Sequence, residues 1–263
     1  MNKYSGKTIT IIGAGYVGLS TAALFSNSDN TVYLIDVNKD RLNTIKSGKS
    51  FFYEQGIDPL IELAVKNKSL IPSDSYEESI PNSDVIFSCV GTPDNPDGSS
   101  NLSFVHQAAK KASLLMKPSS IFVQKSTVPV GTGIEIETSL SFEEKGISYV
   151  SNPEFLREGT AISDSLWFDR VAVGGNNFDA NNQVIKLYKD LEKHRTDIAK
   201  ISGLVEPKNH TGSYISTSRD SAELIKVTAN AFLALKISFA NSIAKLADQT
   251  GADLPAGGRP SVA

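Results

Sequence analysis

Hydrophobic and polar positions along the chain fall into two alternating periods. Thr8-Ile-Thr-Ile-Ile12 is a short β-branched run, Leu19 to Phe25 is small-residue and helical, and Thr31 to Ile35 is a second strand ending on Asp36. The alternation continues with a helix at Lys39 to Lys46, a strand at Asp84 to Val90, a helix at Phe104 to Met116 and a strand at Ser120 to Lys125. Strands at Ile147 to Val150 and Arg170 to Gly174 follow, then a helix from Asn181 to His194. Strands interleaved with helices predict an α/β chain with a doubly wound, mostly parallel sheet over residues 1–200. Residues 201–219 are rich in Ser, Thr, Gly, Pro and Asn without a helical period, and read as a linker or insertion. From 220 to 253 the pattern is helical again, with Leu224, Val227, Ala231, Leu235 and Ser238 on one face and Lys226 and Asn230 four apart on another. Such a helix would run ~40 Å, a length suited to a connector or dimer spine. Gly251 is a plausible C-cap, and residues 254–263 read as a disordered tail or a cloning scar.

Composition narrows the function classes. The 263 residues are 40% hydrophobic and 21% charged, ordinary for a globular chain, and the net charge of -3 leaves no basic footprint for nucleic acid. No apolar run approaches the ~18–20 residues that span a bilayer, and Met1 to Lys7 lacks the apolar core of a signal peptide, so no membrane partner is expected. A single cysteine, Cys89, excludes an internal disulfide framework and fits a reducing, cytoplasmic location. His106, His194 and His210 lie at no ligand spacing, so no metal site is expected. Asn67-Lys-Ser, Asn101-Leu-Ser and Asn209-His-Thr match the glycosylation pattern by chance.

The first strand ends directly on Gly13-Ala-Gly-Tyr-Val-Gly18, which opens a helix, and Asp36 lies 18 residues beyond Gly18. Gly13 allows the tight turn, Gly15 lets a pyrophosphate approach the backbone, and Gly18 lets the helix lie close to the sheet. The phosphates meet a helix N-terminus, where free N–H groups and the dipole favour negative charge. With the strand before, the helix after and the acid beyond, the pattern predicts a Rossmann-like dinucleotide-binding unit. Asp36 should accept hydrogen bonds from the adenosine ribose and repel a 2′-phosphate, favouring NAD over NADP, while Arg41 could stack on adenine or contact phosphate.

Ligands in such sheets sit beyond the carboxyl ends of the strands. The residues there are Cys89-Val-Gly-Thr-Pro93, Lys125-Ser-Thr-Val-Pro-Val-Gly-Thr132 and Ser151-Asn-Pro-Glu-Phe-Leu-Arg-Glu-Gly-Thr-Ala161. If the last segment is helical from Pro153, Glu154 and Glu158 share a face. Two readings of that pair are open: a general base with an ordered water, or a solvated helix start with acids near the positive end of the dipole.

These stretches, with Asp36-Val-Asn-Lys-Asp-Arg41, Asp169-Arg-Val171, Gly174-Gly175 and Glu223 to Ala234, resemble the UDP-glucose 6-dehydrogenase family over nearly all of residues 8–253. Departures are Gln55 in Tyr53-Glu-Gln-Gly56 and Phe168 before Asp169-Arg170, where Pro is usual, and a longer 201–219 segment. The resemblance implies an oxidation of UDP-glucose to UDP-glucuronate with two NAD, with UDP-N-acetylmannosamine or GDP-mannose as alternative substrates. It implies that Gly13, Gly15, Tyr16, Val17, Gly18, Asp36, Arg41, Val90, Gly91, Thr92, Ser126, Thr127 and Glu158 line the NAD site. Glu154, Phe155, Leu156 and Glu158 would face the sugar, with Glu154 as general acid/base and Thr127 beside it in the catalytic set. Lys226 would stabilise the developing oxyanion and Asn230 would orient the substrate. A homodimer through the long helix is also implied. The family's nucleophilic cysteine and uridine-diphosphate domain follow the central helix and are absent from these residues. Cys89, in the apolar run Val85 to Val90, cannot replace that nucleophile. The expectation is a truncated or split enzyme, inactive alone, or else a non-catalytic NAD-binding and dimerisation module.

Overall fold

A computed structural model describes residues 6–208 and 210–252. The N-terminal half alternates β1 (Thr8–Ile12), α1 (Tyr16–Ser26), β2 (Thr31–Ile35), α2 (Lys39–Lys46), α3 (Ile57–Lys66), β3 (Leu70–Ser73), α4 (Tyr76–Ser79) and β4 (Val85–Ser88). It continues with α5 (Ser103–Ser113), β5 (Ile121–Gln124), α6 (Thr132–Ser139) and β6 (Ser148–Ser151). Then come α7 (Ala161–Leu166), β7 (Arg170–Gly174), α8 (Phe178–Lys193), α9 (Arg195–Ser202), β8 (Ser213–Thr217) and α10 (Arg219–Thr250).

The strands form one sheet in the order β3-β2-β1-β4-β5-β6-β7-β8. Neighbours are parallel except at β6 and β7, which pair antiparallel through Ser151 and Gly174. The doubly wound, mostly parallel sheet expected from the alternation is therefore present. Its central strands are apolar on both faces because helices cover both. In β4, Val85 and Phe87 join the core shared with α1, α3 and α8, while Ile86 points to the opposite core with Val105, Phe122 and Tyr149.

Several expectations are corrected. Residues 201–219 are not all linker: α9 reaches Ser202, and Ser213-Tyr-Ile-Ser-Thr217 pairs in parallel with β7 as the sheet's last strand. A β-branched and aromatic stretch suits an edge position even among polar neighbours. The Glu154–Glu158 segment is not helical, and α7 begins only at Ala161. Side chains take the backbone donors there, as Leu156 N–H donates to Glu154 Oε2 (2.6 Å) and Arg157 N–H to Asp164 Oδ2 (3.0 Å). The two acids therefore do not share a helix face. The pattern reading also omitted α3, β3, α4 and α6.

The 32-residue α10 ends on Gly251 in the left-handed region (φ 67°), as the C-cap expectation required. Contrary to the expectation about apolar runs, it is long and apolar enough to cross a bilayer by length and composition. Between Val227 and Ala244, Lys236 is the only charge, and scattered Ser, Thr and Asn hide the run from the eye. The tail at 254–263 and Asn209 of the third glycosylation match lie outside the described residues.

Candidate active site

The strand order reverses between β1 and β4, so the loops leaving their carboxyl ends part and open a crevice, the usual ligand position in such a sheet. A cleft of about 550 Å³ fills it. Its lining comes from loops after β2 (Asp36, Val37), β1 (Gly13, Gly15, Tyr16, Val17), β4 (Val90, Gly91, Thr92), β5 (Lys125, Ser126, Thr127) and β6 (Glu154). Because those strands are adjacent in that order, the cleft runs from Asp36 at one end to Glu154 at the other.

Each motif glycine has its own reason. Gly13 turns at φ +99°, and a Cβ there would lie 2.7 Å from the Cys89 carbonyl oxygen. A Cβ on Gly18 would lie 1.8 Å from the Gly13 carbonyl oxygen, so this glycine sits beneath the loop rather than in the cleft wall. A Cβ on Gly15 would meet nothing within 4 Å. That open space at the α1 N-terminus is a cradle a pyrophosphate could enter, so the residues present fit a dinucleotide.

At the first end, Asp36 is buried and its carboxylate is already engaged. Oδ2 accepts from Ala14 N–H (2.7 Å) and Oδ1 from Asn38 N–H (2.8 Å). A carboxylate has about four lone-pair sites, so ribose hydroxyls can still be accepted. Arg41 stands 4.8 Å from the Phe51 ring centroid, its guanidinium over the ring face. Tyr76, Gln107 and Lys111 also line this cleft and were not foreseen. Burial, with Asp36 adding to it, pushes the Tyr76 phenol up to about 12, so it remains a donor. Tyr76 is legible only once β3 is known to precede it.

At the other end, Lys226 Nζ meets Glu154 Oε1 at 3.0 Å, and both are largely buried. This pair joins the first turns of α10 to the loop after β6. Two further contacts seat the helix. Glu223, 2% exposed, accepts from the N–H groups of Gly131 (2.8 Å) and Gly133 (2.9 Å) at the start of α6. Arg219 pairs with Glu137 on the same helix. Glu223 and Lys226 are three apart, so one helix face both caps α6 and delivers the ammonium. Burial raises the Glu223 carboxyl, and the two amide donors act against that.

Lys125, matched by sequence but given no role there, is buried beside this end. Its Nζ lies 3.0 Å from Tyr188 Oη and 3.5 Å from Asn152 Oδ1. Ser126 Oγ donates to the Val90 carbonyl (2.7 Å), tying the loops after β4 and β5 together. Cys89 touches the cleft floor, but burial pushes its thiol up to about 12, leaving it protonated and a poor nucleophile.

Other expected site residues are placed less centrally. Phe155 is half-buried, with Arg170 4.4 Å and Lys226 5.3 Å from its ring centroid, and Leu156 is half-buried next to it. Glu158 is exposed and not part of the cleft lining. Asn230 lies one turn beyond Lys226 on an exposed stretch of α10. Glu54, given no role in the stretch Tyr53-Glu-Gln-Gly56, is 5% exposed and bonded to Tyr16.

Known proteins sharpen this geometry. The profile of the UDP-glucose/GDP-mannose dehydrogenase family, NAD binding domain, matches residues 7–192, and the central domain of the same family matches 220–256. A UDP-glucose 6-dehydrogenase of Rhizobium meliloti is 36% identical over 251 residues, covering 94% of this chain and 54% of the relative. The solved UDP-glucose dehydrogenase of Pyrobaculum islandicum superposes with a TM-score of 0.82 at 32% identity, covering 96% of this chain and 56% of that one. A ternary complex of GDP-mannose dehydrogenase from Pseudomonas aeruginosa gives 0.82 at 27% identity, covering 94% and 54%. The chain thus spans about half the length of the relatives it matches.

Proposed function

The chain belongs to the UDP-glucose/GDP-mannose dehydrogenase family, with NAD as cofactor, and from that premise we propose that it forms the NAD-binding and acid–base half of a UDP-glucose 6-dehydrogenase. The observation that carries this reading is the Glu154–Lys226 pair standing at one end of a cleft whose other end is Asp36. Bound NAD supplies the hydride acceptor. Glu154 takes the proton of the sugar's C6 hydroxyl, directly or through a water held with Thr127. The Lys226 ammonium, already desolvated, stabilises the oxyanion that grows there, where a fixed charge acts with little reorganisation. Phe155 and Leu156 form the apolar wall beside the sugar, and Asn230 turns inward to orient it once α10 is covered. Glu158 reaches the cofactor only if its loop closes over the cleft.

The full reaction converts UDP-glucose, water and two NAD⁺ to UDP-glucuronate, two NADH and three protons. Its second oxidation uses a thiolate in this family, and Cys89 is protonated and buried. We therefore assign NAD binding to these 263 residues, with no turnover of UDP-glucose by them alone. The exposed apolar side of α10 is assigned to a homodimer contact. UDP-glucose is preferred over UDP-N-acetylmannosamine and GDP-mannose because relatives at 35–36% identity carry that name.

Calorimetry with NAD and NADP, followed by an assay for NADH with each of the three nucleotide sugars, tests the reading. The expected result is NAD binding several-fold tighter than NADP, with no UDP-glucuronate and no steady NADH formation. Addition of a C-terminal half carrying the cysteine should restore NADH formation with UDP-glucose. Steady NADH production by the chain alone would overturn the assignment of roles, and absence of NAD binding would overturn it entirely.

A further inference from the structure

The hydroxyl of Tyr16 leaves the cofactor loop and enters the loop that carries Glu154 to Gly159. It lies 2.6 Å from Glu54 Oε2 and 2.8 Å from the Arg157 carbonyl oxygen, two acceptors for one proton, and it accepts the Gly159 N–H at 2.8 Å. Glu54 is held in turn by the Ile162 N–H (3.3 Å) at the start of α7. Gly159 turns at φ +87°, so its N–H is aimed by backbone geometry rather than by a helix. Three stretches far apart in sequence, around residues 16, 54 and 159, therefore close on a single oxygen atom. Burial and the Glu54 carboxylate push the Tyr16 phenol well above its ordinary value, which keeps it a donor across the accessible pH range.

The consequence follows from where the two loops lead. Gly15 and Tyr16 line the cofactor cleft, and two residues before Leu156 the other loop carries Glu154, which also lines it. Beyond the Tyr16 oxygen, residues 157–159 are tied down by the contacts of Arg157 with Asp164, which are exposed on the arginine side. An exposed ion pair contributes little. The half-buried Tyr16 side chain thus links the cofactor loop to the substrate loop through three hydrogen bonds at one oxygen.

We propose that Tyr16, held by Glu54, is a positioning residue that couples the two loops, so that a ligand settling on the Gly15–Tyr16 backbone orders residues 157–159. The proposal rests on the NAD reading above, but its first test does not need the cofactor.

Amide hydrogen exchange of the full chain at the Arg157–Gly159 backbone, with and without saturating NAD, reads the link directly. In the ligand-free chain, Tyr16→Phe should speed exchange at Gly159 by roughly tenfold or more, with exchange in β1 and β2 unchanged. Glu54→Ala should give a smaller acceleration, because Tyr16 retains the Arg157 carbonyl and the Gly159 N–H. In the unsubstituted chain NAD should slow exchange at 157–159, and in Tyr16→Phe, at an NAD concentration shown by titration to saturate that variant, the added protection should vanish. Unchanged Gly159 exchange in Tyr16→Phe overturns the link. Equal NAD-induced protection in both chains overturns the coupling. A chain that fails to bind NAD overturns the functional reading and the coupling together, leaving the ligand-free result to judge the link alone.

Discussion

The glycine-rich turn and the distal part of α10 contrast sharply. Around Gly13 and Gly18 the backbone of β1, α1 and the loop after β4 is so close that an added Cβ would overlap a carbonyl oxygen. Along α10, Phe232, Leu235 and Phe239 are each more than 60% exposed, although the first two turns of the same helix bury Arg219, Glu223 and Lys226. One region is complete within the chain. The other presents apolar side chains to solvent along most of its length, the surface assigned above to a homodimer contact. Sequence reads the first as a tight turn and the second as a long helix, but it does not show which is closed and which is exposed.

The comparison breaks most readily at Gly18. Gly18→Ala places a methyl group 1.8 Å from the Gly13 carbonyl oxygen, and the backbone has to move. A loss of about 3 kcal/mol or more is expected in urea unfolding, at the upper end of overpacking costs. Gly15→Ala should leave the midpoint within about 0.5 kcal/mol, since its Cβ meets open space, yet weaken NAD about tenfold or more by filling the pyrophosphate cradle. On α10, Phe239→Ala should also change unfolding by no more than about 0.5 kcal/mol, while sedimentation shows any self-association of the chain reduced. A stable Gly18→Ala, or a Phe239→Ala that unfolds the chain, would remove the distinction between the two regions.

A smaller effect is expected at the buried first turns of α10, where Glu223 caps α6. Glu223→Ala leaves the N–H groups of Gly131 and Gly133 without their buried acceptor, at about 1–3 kcal/mol. Glu223→Gln keeps one carbonyl acceptor and should recover part of that loss. Because Lys226 is one turn further on, the alanine variant should also release the first turns of α10, visible as faster amide exchange at 222–226. Loss of stability without that local release would make Glu223 a cap for α6 alone.

How far the sequence could lead depends on the range of each interaction. The Gly13–Gly18 turn, Asp36 and the loops after β4 and β5 were legible because their constraints are local: a strand, a turn and a helix N-terminus within a few dozen residues. Glu54 was not, since it acts on Tyr16 and Ile162, 38 and 108 residues away, and nothing in its neighbours announces this. Lys125 likewise looks like an ordinary residue after a strand until Tyr188, 63 residues later, meets it. The edge strand β8 was hidden because Ser213, Ser216 and Thr217 are polar, and pairing to β7 rather than burial defines it. The helical reading of Glu154 and Glu158 failed because side-chain acceptors captured the loop's amides, a competition that spacing does not record.

The finest test concerns Asp36, where fold and recognition share one carboxylate. Its charge is expected to repel a 2′-phosphate, while its oxygens hold the Ala14 and Asn38 amides that shape the glycine turn and start α2. Asp36→Ala removes both functions at once, so reduced NAD binding in that variant does not isolate charge. Asp36→Asn keeps one oxygen acceptor and the side-chain shape but removes the charge and presents an NH2 group to one of the amides, at about 1 kcal/mol of stability. The NAD-to-NADP affinity ratio should then fall about tenfold, equivalent to ~1.4 kcal/mol. Calorimetric titration of both cofactors against the same preparation measures it, with urea unfolding run alongside to separate the two contributions. A ratio unchanged in Asp36→Asn would move discrimination to Arg41, whose guanidinium over Phe51 lines the same cleft. In that case Asp36 would belong wholly to the closed glycine turn, as Gly18 does, and the cofactor preference would come from the more open wall beside it.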